Sequence, residues 1–416
     1  MYRHRYRRIV WFFTRLMAGV VVWDLCLPRL GFRAWAARTR PQRFRRAGRA
    51  FRLLAVQMGG VLIKIGQFLS TRVDVLPEEI TSELAGLQDE VPAEDFERIR
   101  TVAEAELGDQ LSAKYNDFDP QPLAAASLGQ VHRARLPLKS SSITSGHPVD
   151  IDVVVKVLRP DIERIIAVDL AALQTVGAWL MRYRPLAKRV NVPALLDEFT
   201  SILYQEIDYL QEGKNAETFA TNFRRQPRVR VPKVIWTHTT RRVLTLENVM
   251  AIKITDYCAI ESAGISRRAV AALLLDTYLK QIFEDGFFHA DPHPGNLFVQ
   301  PCEIIENDDE TETAQQNWQL TFVDFGMVGR ISPQTRQGLR EMVIGVGTRD
   351  AARVIRSYQM LGLLLPGADL ALLERAESRL FERFWGMTMD ELRNISPTEV
   401  QKIAGEFRQL LFELPC

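Results

Sequence analysis

His289-Ala290-Asp291-Pro292-His293-Pro294-Gly295-Asn296, with Asp324-Phe325-Gly326 further along the chain, decides how this sequence reads. An aspartate, an asparagine five residues later and a second aspartate opening an Asp-Phe-Gly triplet form the metal-and-phosphate half of a phosphoryl-transfer site. In that chemistry the first aspartate stands beside the acceptor. The asparagine and the second aspartate hold the metal ions that bridge the phosphates. Short apolar stretches, Phe283 to Phe288 and Leu320 to Val323, flank the two pieces and set the acidic groups at turns beside buried elements. A lone Asp-Phe-Gly says little; three such ligands in this order and spacing say a great deal.

The complementary half lies upstream. Ile151 to Val157 reads as a buried strand with Lys156 planted among valines. An ammonium there is costly unless it meets a counter-charge, and the alternative is a lysine that snorkels from a strand edge. With the downstream motif in view, Lys156 is assigned to the α- and β-phosphates of a nucleotide. Ahead of it, Ala124-Ala125-Ala126-Ser127-Leu128-Gly129-Gln130-Val131 stands where a kinase carries its glycine-rich loop. Small side chains still let the backbone approach phosphates. Alanine, however, excludes the positive-φ conformations open to glycine, which predicts a stiffer loop of different shape.

These residues resemble the UbiB (AarF) family of atypical protein-kinase-like proteins, from about Phe51 to the C-terminus. Lys64-Ile65-Gly66-Gln67 matches that family's KxGQ signature, Ala124 to Ser127 its alanine-rich loop and Glu206-Ile207-Asp208 its ExD motif, and the octapeptide is intact. The resemblance implies an α+β, bilobal protein-kinase-like fold with an N-terminal helical extension carrying KxGQ. It further implies that ATP and Mg2+ are the cofactors, with Lys156 and residues Ala124, Ala125, Ala126 and Ser127 on the nucleotide. Asp291 takes the catalytic-loop position, and Asn296 and Asp324 bind magnesium. Glu206 and Glu212 are expected on one helix over Lys156, one pairing with Lys156 and the other with Lys64; which does which is left open. Lys64 and Gln67 belong to a lid over the place where a protein substrate would bind. Glu247-Asn248-Val249 is the expected hinge, presenting backbone groups to adenine.

The segment from Gly326 to Ser332 is too short to form the activation segment on which a protein kinase docks a peptide, so protein substrates are disfavoured. At 416 residues and 47% hydrophobic content the chain can bury a sizeable core. Its net charge of +2 hides an uneven distribution: the first fifty residues hold thirteen arginines against the single acid Asp24. Aromatic and aliphatic residues interleave with them, which suits an amphipathic helix on an anionic membrane surface. A basic helix folded against the kinase lobe is the alternative. Arg15 breaks the apolar run, which reads as short of the ~20 residues of a membrane span. No small-residue cleavage site supports a signal peptide, and no recognised module supports nucleic-acid binding. Cys26, Cys258, Cys302 and Cys416 are scattered without a CxxC pair, so neither a disulfide framework nor a zinc site is expected, and a reducing cytoplasmic face fits. His289 is assigned to orienting the catalytic loop.

The expected organisation is a basic segment over residues 1–50, the KxGQ helical extension over 51–115, an N-lobe with inserted helices over 116–250 and a C-lobe over 251–416. Helices are expected at Arg52–Gln67, Pro77–Leu87, Ala93–Leu107, Asp161–Tyr183, Val192–Phe219 and Ser266–Gly286. Strands are expected at Leu128–Leu136, Ile151–Leu158, Val229–Thr237 and Arg242–Asn248. Lys139–Pro148 and Glu303–Asn317 read as polar surface insertions. Relatives of this kind continue past the Leu414-Pro415 position, so a shortened C-lobe is expected. The resulting functional expectation is an ATPase or a small-molecule or lipid phosphotransferase, peripheral at a membrane. It would serve isoprenoid-quinone biosynthesis or lipid homeostasis, with a lipid or quinone-precursor acceptor; a homodimer is left open. A non-catalytic, ATP-gated lipid-handling protein and a true protein kinase are the rival readings.

Overall fold

The structure, a computed structural model, describes residues 2–70, 72, 76–88, 91–137, 150–182, 191–302, 318–364, 367–388 and 391. The two expected polar insertions and the chain end at Leu414-Pro415 lie outside the described residues. The chain divides into two compact units, Met1–Ala263 with Asp291–Met327, and Gly264–Ala290 with Val328–Cys416. Both mix helices with strands, in keeping with the α+β expectation.

In the first unit, strands β1 (Asp117–Ala125), β2 (Gly129–Pro137), β3 (Asp150–Leu158) and β5 (Val243–Glu247) form an antiparallel sheet in that order. The period-2 pleat sends Val153, Val155 and Val157 of β3 into one core with Ile99 and Ala103, while Val154 and Leu158 join another with Leu244, Leu246 and Tyr209. Both faces are covered, which is why Val153, Val154 and Val155 run without polar alternation. Lys156 shares the second face and sits opposite Leu244. The first strand escaped the sequence reading, since Asp117-Phe118-Asp119-Pro120-Gln121-Pro122 carries two prolines and no alternation; β1 is irregular there and lies at the sheet edge. A second sheet runs β4 (Val229–Arg230), β9 (Trp318–Phe322), β8 (Leu297–Pro301) and β6 (Ile252–Lys253). The strand expected over Val229–Thr237 stops at Arg230, two residues before Pro232, and a 3-10 turn occupies Trp236–His238.

The helices of this unit correct two expectations. The helix expected over Arg52–Gln67 is two helices, α2 (Arg33–Met58) and α3 (Val61–Ser70), because Gly59 and Gly60 between them take φ of 63° and 62°. Next along the chain come α4 (Glu78–Ala85) and α5 (Phe96–Leu107), the latter capped by Asp95, whose Oδ1 accepts from Glu97 N at 3.0 Å. After α6 (Ile162–Leu180), the long helix expected over Val192–Phe219 divides into α7 (Val192–Glu206) and α8 (Tyr209–Asn222). Asp208 starts the second by accepting from Gln211 N at 3.1 Å. Glu206 and Glu212 therefore lie on successive helices.

The N-terminal helix α1 (Tyr2–Val20) continues through a widened turn at Val21–Cys26 to Arg29. Tyr2–Arg29 is, among the described residues, the one helix long and apolar enough to cross a membrane by length and composition. The reading of the apolar run as too short is corrected in that respect. The first half of α1 also docks on α6: Ile9 is fully buried beside Ile162 and Ile166, and Tyr6 Oη lies 3.0 Å from Thr175 Oγ1. Arg5 donates from Nε and Nη2 to the two carboxylate oxygens of Asp169, each at 2.6 Å, and caps the end of α2 at Met58 O and Gly59 O.

The second unit holds α9 (Arg267–Lys280), started by Ser266, and a strand pair of β7 (Phe287–His289) with β10 (Val328–Arg330). Helices α10 (Pro333–Thr348), α11 (Ala351–Met360) and α12 (Leu370–Phe384) follow, with Val354, Ile355, Leu372 and Ala376 buried. The short segment after Asp-Phe-Gly thus runs straight into β10 and then α10.

Candidate active site

Strand β3 fixes Lys156, and the geometry around it settles the pairing left open by the sequence. Lys156 Nζ lies 2.5 Å from Glu212 Oε1 and 3.4 Å from Asp324 Oδ2. Lys64 pairs with Glu206. Glu212 is only 4% exposed because α8 carries it beneath the sheet. Burial pushes the Glu212 carboxyl up to about 7, helped by the charge of Asp324 and opposed by Lys156 and a backbone hydrogen bond from Phe325. Burial disfavours the Lys156 ammonium, but Asp324 and Glu212 outweigh it and hold the lysine charged well beyond the ordinary range. Glu206 is raised by burial, with Lys64 opposing.

The second sheet supplies the other groups. Leu297 pairs with Phe322 across β8 and β9, so Asn296, just before β8, and Asp324, just after β9, share one end. Val323 N donates to Asn296 O at 3.0 Å, closing that end. Asn296 Nδ2 donates at 3.2 Å to both the carbonyl and Oδ2 of Asp291, which fixes that aspartate relative to the asparagine. Asp324 has φ of 66°, a left-handed conformation uncommon away from glycine and held here while Phe325 is buried against Phe219. Asn215 of α8 donates to Phe325 O at 3.0 Å. The helix that positions Glu212 therefore also holds the Asp-Phe-Gly turn.

A cavity of about 390 Å³ brings these groups together within the first unit: Lys64, Gln67, Ala124 to Ser127, Lys156, Glu206, Glu212, Asp291, Asn296 and Asp324 all line it. Gly66 of the KxGQ helix explains its own identity, because a Cβ there would come 2.3 Å from Leu87 Cδ1. Gln67 Nε2 donates to Leu87 O at 3.2 Å, tying the same two segments by a second contact. Gly129 closes the alanine-rich loop, where a Cβ would lie 2.6 Å from the Tyr209 hydroxyl and 2.8 Å from Val157 O. Tyr209 at the start of α8 and Gly129 are lining residues that motif reading did not single out as site residues; both reveal themselves only once β2 and α8 are in place.

Glu247 and Val249 are not among the residues lining this cavity. Glu247 pairs with Arg230 at 2.8 Å, Val249 is buried, and Asn248 N donates to Asp152 O at 3.0 Å. His289 is buried in β7, its backbone N–H bonded to Gln281 Oε1 at 2.8 Å. His293 is exposed and its Nδ1 accepts from Gly295 N at 3.1 Å, a turn-forming role.

The donor set suits Mg2+. Asp291, Asn296 and Asp324 offer hard oxygen ligands, and around the cavity four carboxylates (Glu206, Glu212, Asp291, Asp324) face two ammonium groups (Lys64, Lys156). Among the described residues no group of three or more His, Cys, Asp or Glu side chains forms a self-sufficient metal cage. Magnesium is ordinarily held by one or two carboxylates together with substrate phosphates, and needs none.

Comparison with known proteins gives a consistent picture. The family model for the ABC1 atypical kinase-like domain matches residues 86–358. An uncharacterized Synechocystis protein, sll1770, is 38% identical over 374 residues, covering 90% of this chain and 59% of that protein. Activity of BC1 complex kinase 8, a chloroplastic protein of Arabidopsis thaliana, is 41% identical over 323 residues, 77% of this chain and 39% of that protein. A probable protein kinase UbiB of Xanthomonas euvesicatoria is 34% identical over 345 residues, 83% of this chain and 59% of that protein. The chain thus spans between about two fifths and three fifths of the length of these relatives.

Proposed function

The chain belongs to the ABC1 atypical kinase-like family, and from that premise we propose that it binds MgATP in the cavity around Lys156 and turns it over. The reaction is ATP hydrolysis or phosphoryl transfer to a small, lipid-like acceptor. The observation that carries the reading is the meeting of Lys156, Glu212, Asp291, Asn296 and Asp324 at one cavity. Glu212 holds the Lys156 ammonium in place, and the ammonium binds the nucleotide phosphates. Asn296 and Asp324 would hold magnesium, which when bound neutralises charge on the phosphates. Asp291, fixed by Asn296 Nδ2, orients a water or an acceptor hydroxyl and accepts its proton. Positioning and charge neutralisation supply most of the acceleration.

The pairing of Lys64 with Glu206 at the cavity supports a lid role for the KxGQ helix, which leaves room for a small acceptor and little for a peptide. The resemblance of the sequence motifs to the UbiB family supports isoprenoid-quinone biosynthesis at a membrane as the acceptor pathway. The test is Mg2+-dependent formation of ADP from ATP by the purified chain, with and without lipid vesicles, beside Asp324→Asn. Turnover lost in the variant, with the ATP-induced rise in melting temperature retained through Lys156, supports the enzyme reading. A melting shift without turnover in the unmodified chain sinks it in favour of ATP-gated lipid handling.

A further inference from the structure

Away from the nucleotide cavity, α1 and α2 enclose a second trough of about 610 Å³, well within the size range of ligand sites. Trp11, Phe12, Leu16 and Trp23 form one wall and Phe44 and Leu54 the other, while Ala47 and Ala50 keep the floor open. The wall on α1 is built rather than loose, because Arg5 clamps that helix to buried Asp169 and to the end of α2. Among the described residues the only acid lining the trough, Asp24, is neutralised by Arg43 through bonds of 3.0 and 3.2 Å. Arg8, Arg15 and Arg46 also line it and have no carboxylate partner among the described residues; Arg8 bonds the neutral Gln57, and Arg15 lies over the Trp11 ring at 5.6 Å.

We propose that this trough seats one acyl chain of an anionic phospholipid drawn from a bilayer, with the lipid phosphate held by Arg8, Arg15 and Arg46. Charge complementarity selects the head group, since an apolar floor with an uncompensated arginine rim matches a phosphate joined to a hydrocarbon chain. Continuity selects the bilayer as the source. Trp11 (62% exposed) and Leu53 (64% exposed) stand at the rim, and Val20, Val21 and Val22 extend the apolar surface along the same helix; Leu30, Phe32 and Trp35 are exposed just beyond it. Tryptophans and arginines around an apolar patch suit the head-group layer. The proposal deepens the membrane part of the function proposed above and is independent of its nucleotide chemistry.

The experiment presents vesicles of phosphatidylglycerol or of phosphatidylcholine, each with brominated acyl chains, to the full chain, and reads co-sedimentation and quenching of tryptophan fluorescence. Ala47→Leu/Ala50→Leu fills the floor; Arg15→Gln/Arg46→Gln strips the rim; Ala50→Leu alone, at an exposed position, replaces the first variant if its melting curve shows misfolding. The expected result is preferential binding of phosphatidylglycerol with strong quenching. The filled floor should weaken binding roughly tenfold, equivalent to displacing about two buried methylenes, and abolish the quenching. The stripped rim should reduce binding to the phosphatidylcholine level. Binding and quenching unchanged by the filled floor would leave only a surface patch and overturn the proposal. Equal binding of both lipids overturns it as well, as does a dimer in solution that the filled floor dissociates, since a second copy would then be the occupant. The ATP-induced melting shift should be the same in every variant. Its absence throughout, the unmodified chain included, refutes the nucleotide reading and leaves the lipid result to stand or fall alone.

Discussion

Arg5→Met tests whether the N-terminal helix is an integral part of the first unit. Methionine keeps the apolar stem of the arginine and removes its four donated bonds, two of them to Asp169, a side chain with no exposure at all. Removing one partner of a buried pair costs about 3–5 kcal/mol, because the remaining charge is left uncompensated. The sign of the pH dependence follows from Asp169. Burial already raises its carboxyl above the ordinary value, with Arg5 opposing. Without Arg5 the native carboxyl holds its proton to still higher pH, whereas the unfolded one releases it near ~3.9. Between those limits the native state binds more protons, so stability falls as pH rises, by up to about 1.4 kcal/mol per unit. The loss in Arg5→Met should therefore be about 1–2 kcal/mol at pH 5 and reach several kcal/mol at pH 8. Amide hydrogen exchange in Tyr2–Val20 is the suitable assay, because it reports local opening even where two units unfold separately. Arg5→Met/Asp169→Asn, which removes the charge together with its partner, should regain most of the protection. Equal losses at both pH values, or a double variant no better protected than the single one, would refute the electrostatic account of docking.

Two further outcomes follow from the site. Lys156→Met strands Glu212 in the core and should lower stability by about 3 kcal/mol at pH 8 while abolishing the ATP-induced melting shift; Lys156→Met/Glu212→Gln should regain the stability and not the nucleotide binding, as read by urea midpoints and thermal shifts. A double variant as unstable as the single one would remove Glu212 from that role. Gly66→Ala adds a Cβ 2.3 Å from fully buried Leu87; overpacking of about 1–3 kcal/mol, offset by about 1 kcal/mol of helix propensity, should lower the melting temperature by roughly 2–4 °C. A melting temperature that stays level or rises would mean that helix propensity, and not space, governs that position.

What could be read from the sequence, and what could not, divides along physical lines. Asp291, Asn296 and Asp324 stood out because phosphoryl-transfer chemistry asks for particular residue types in a fixed order, and Lys156 because an ammonium in an apolar strand needs a counter-charge; the structure brings all four to one cavity. The two broken helices were legible in principle. Gly59-Gly60 is a breaker pair, and Asp208, quoted only as the end of the ExD motif, is also a capping residue. The assignment of Glu212 to Lys156 and of Glu206 to Lys64 was beyond reach, because it depends on the break at Ile207-Asp208 that turns the two carboxylates onto separate helices. The docking of α1 was beyond reach for a different reason. Arg5 and Asp169 stand 164 residues apart, and no periodicity marks one arginine among thirteen as the partner of a buried carboxylate. Local pattern fixes which residues face a core, but the partner of a buried charge is set by tertiary packing. The arginine-rich segment accordingly does two things with one composition: Arg5 holds α1 to the fold, and Arg8 and Arg15, on the same helix, line the trough that the clamp keeps in shape. A helix released by loss of Arg5 would take its trough wall with it, so lipid-dependent quenching of Trp11 should fall in Arg5→Met at pH 8 and return at pH 5 as the helix docks again. Quenching that survives at pH 8 while α1 exchanges freely would mean that the helix enters the bilayer by itself, with the trough playing no part.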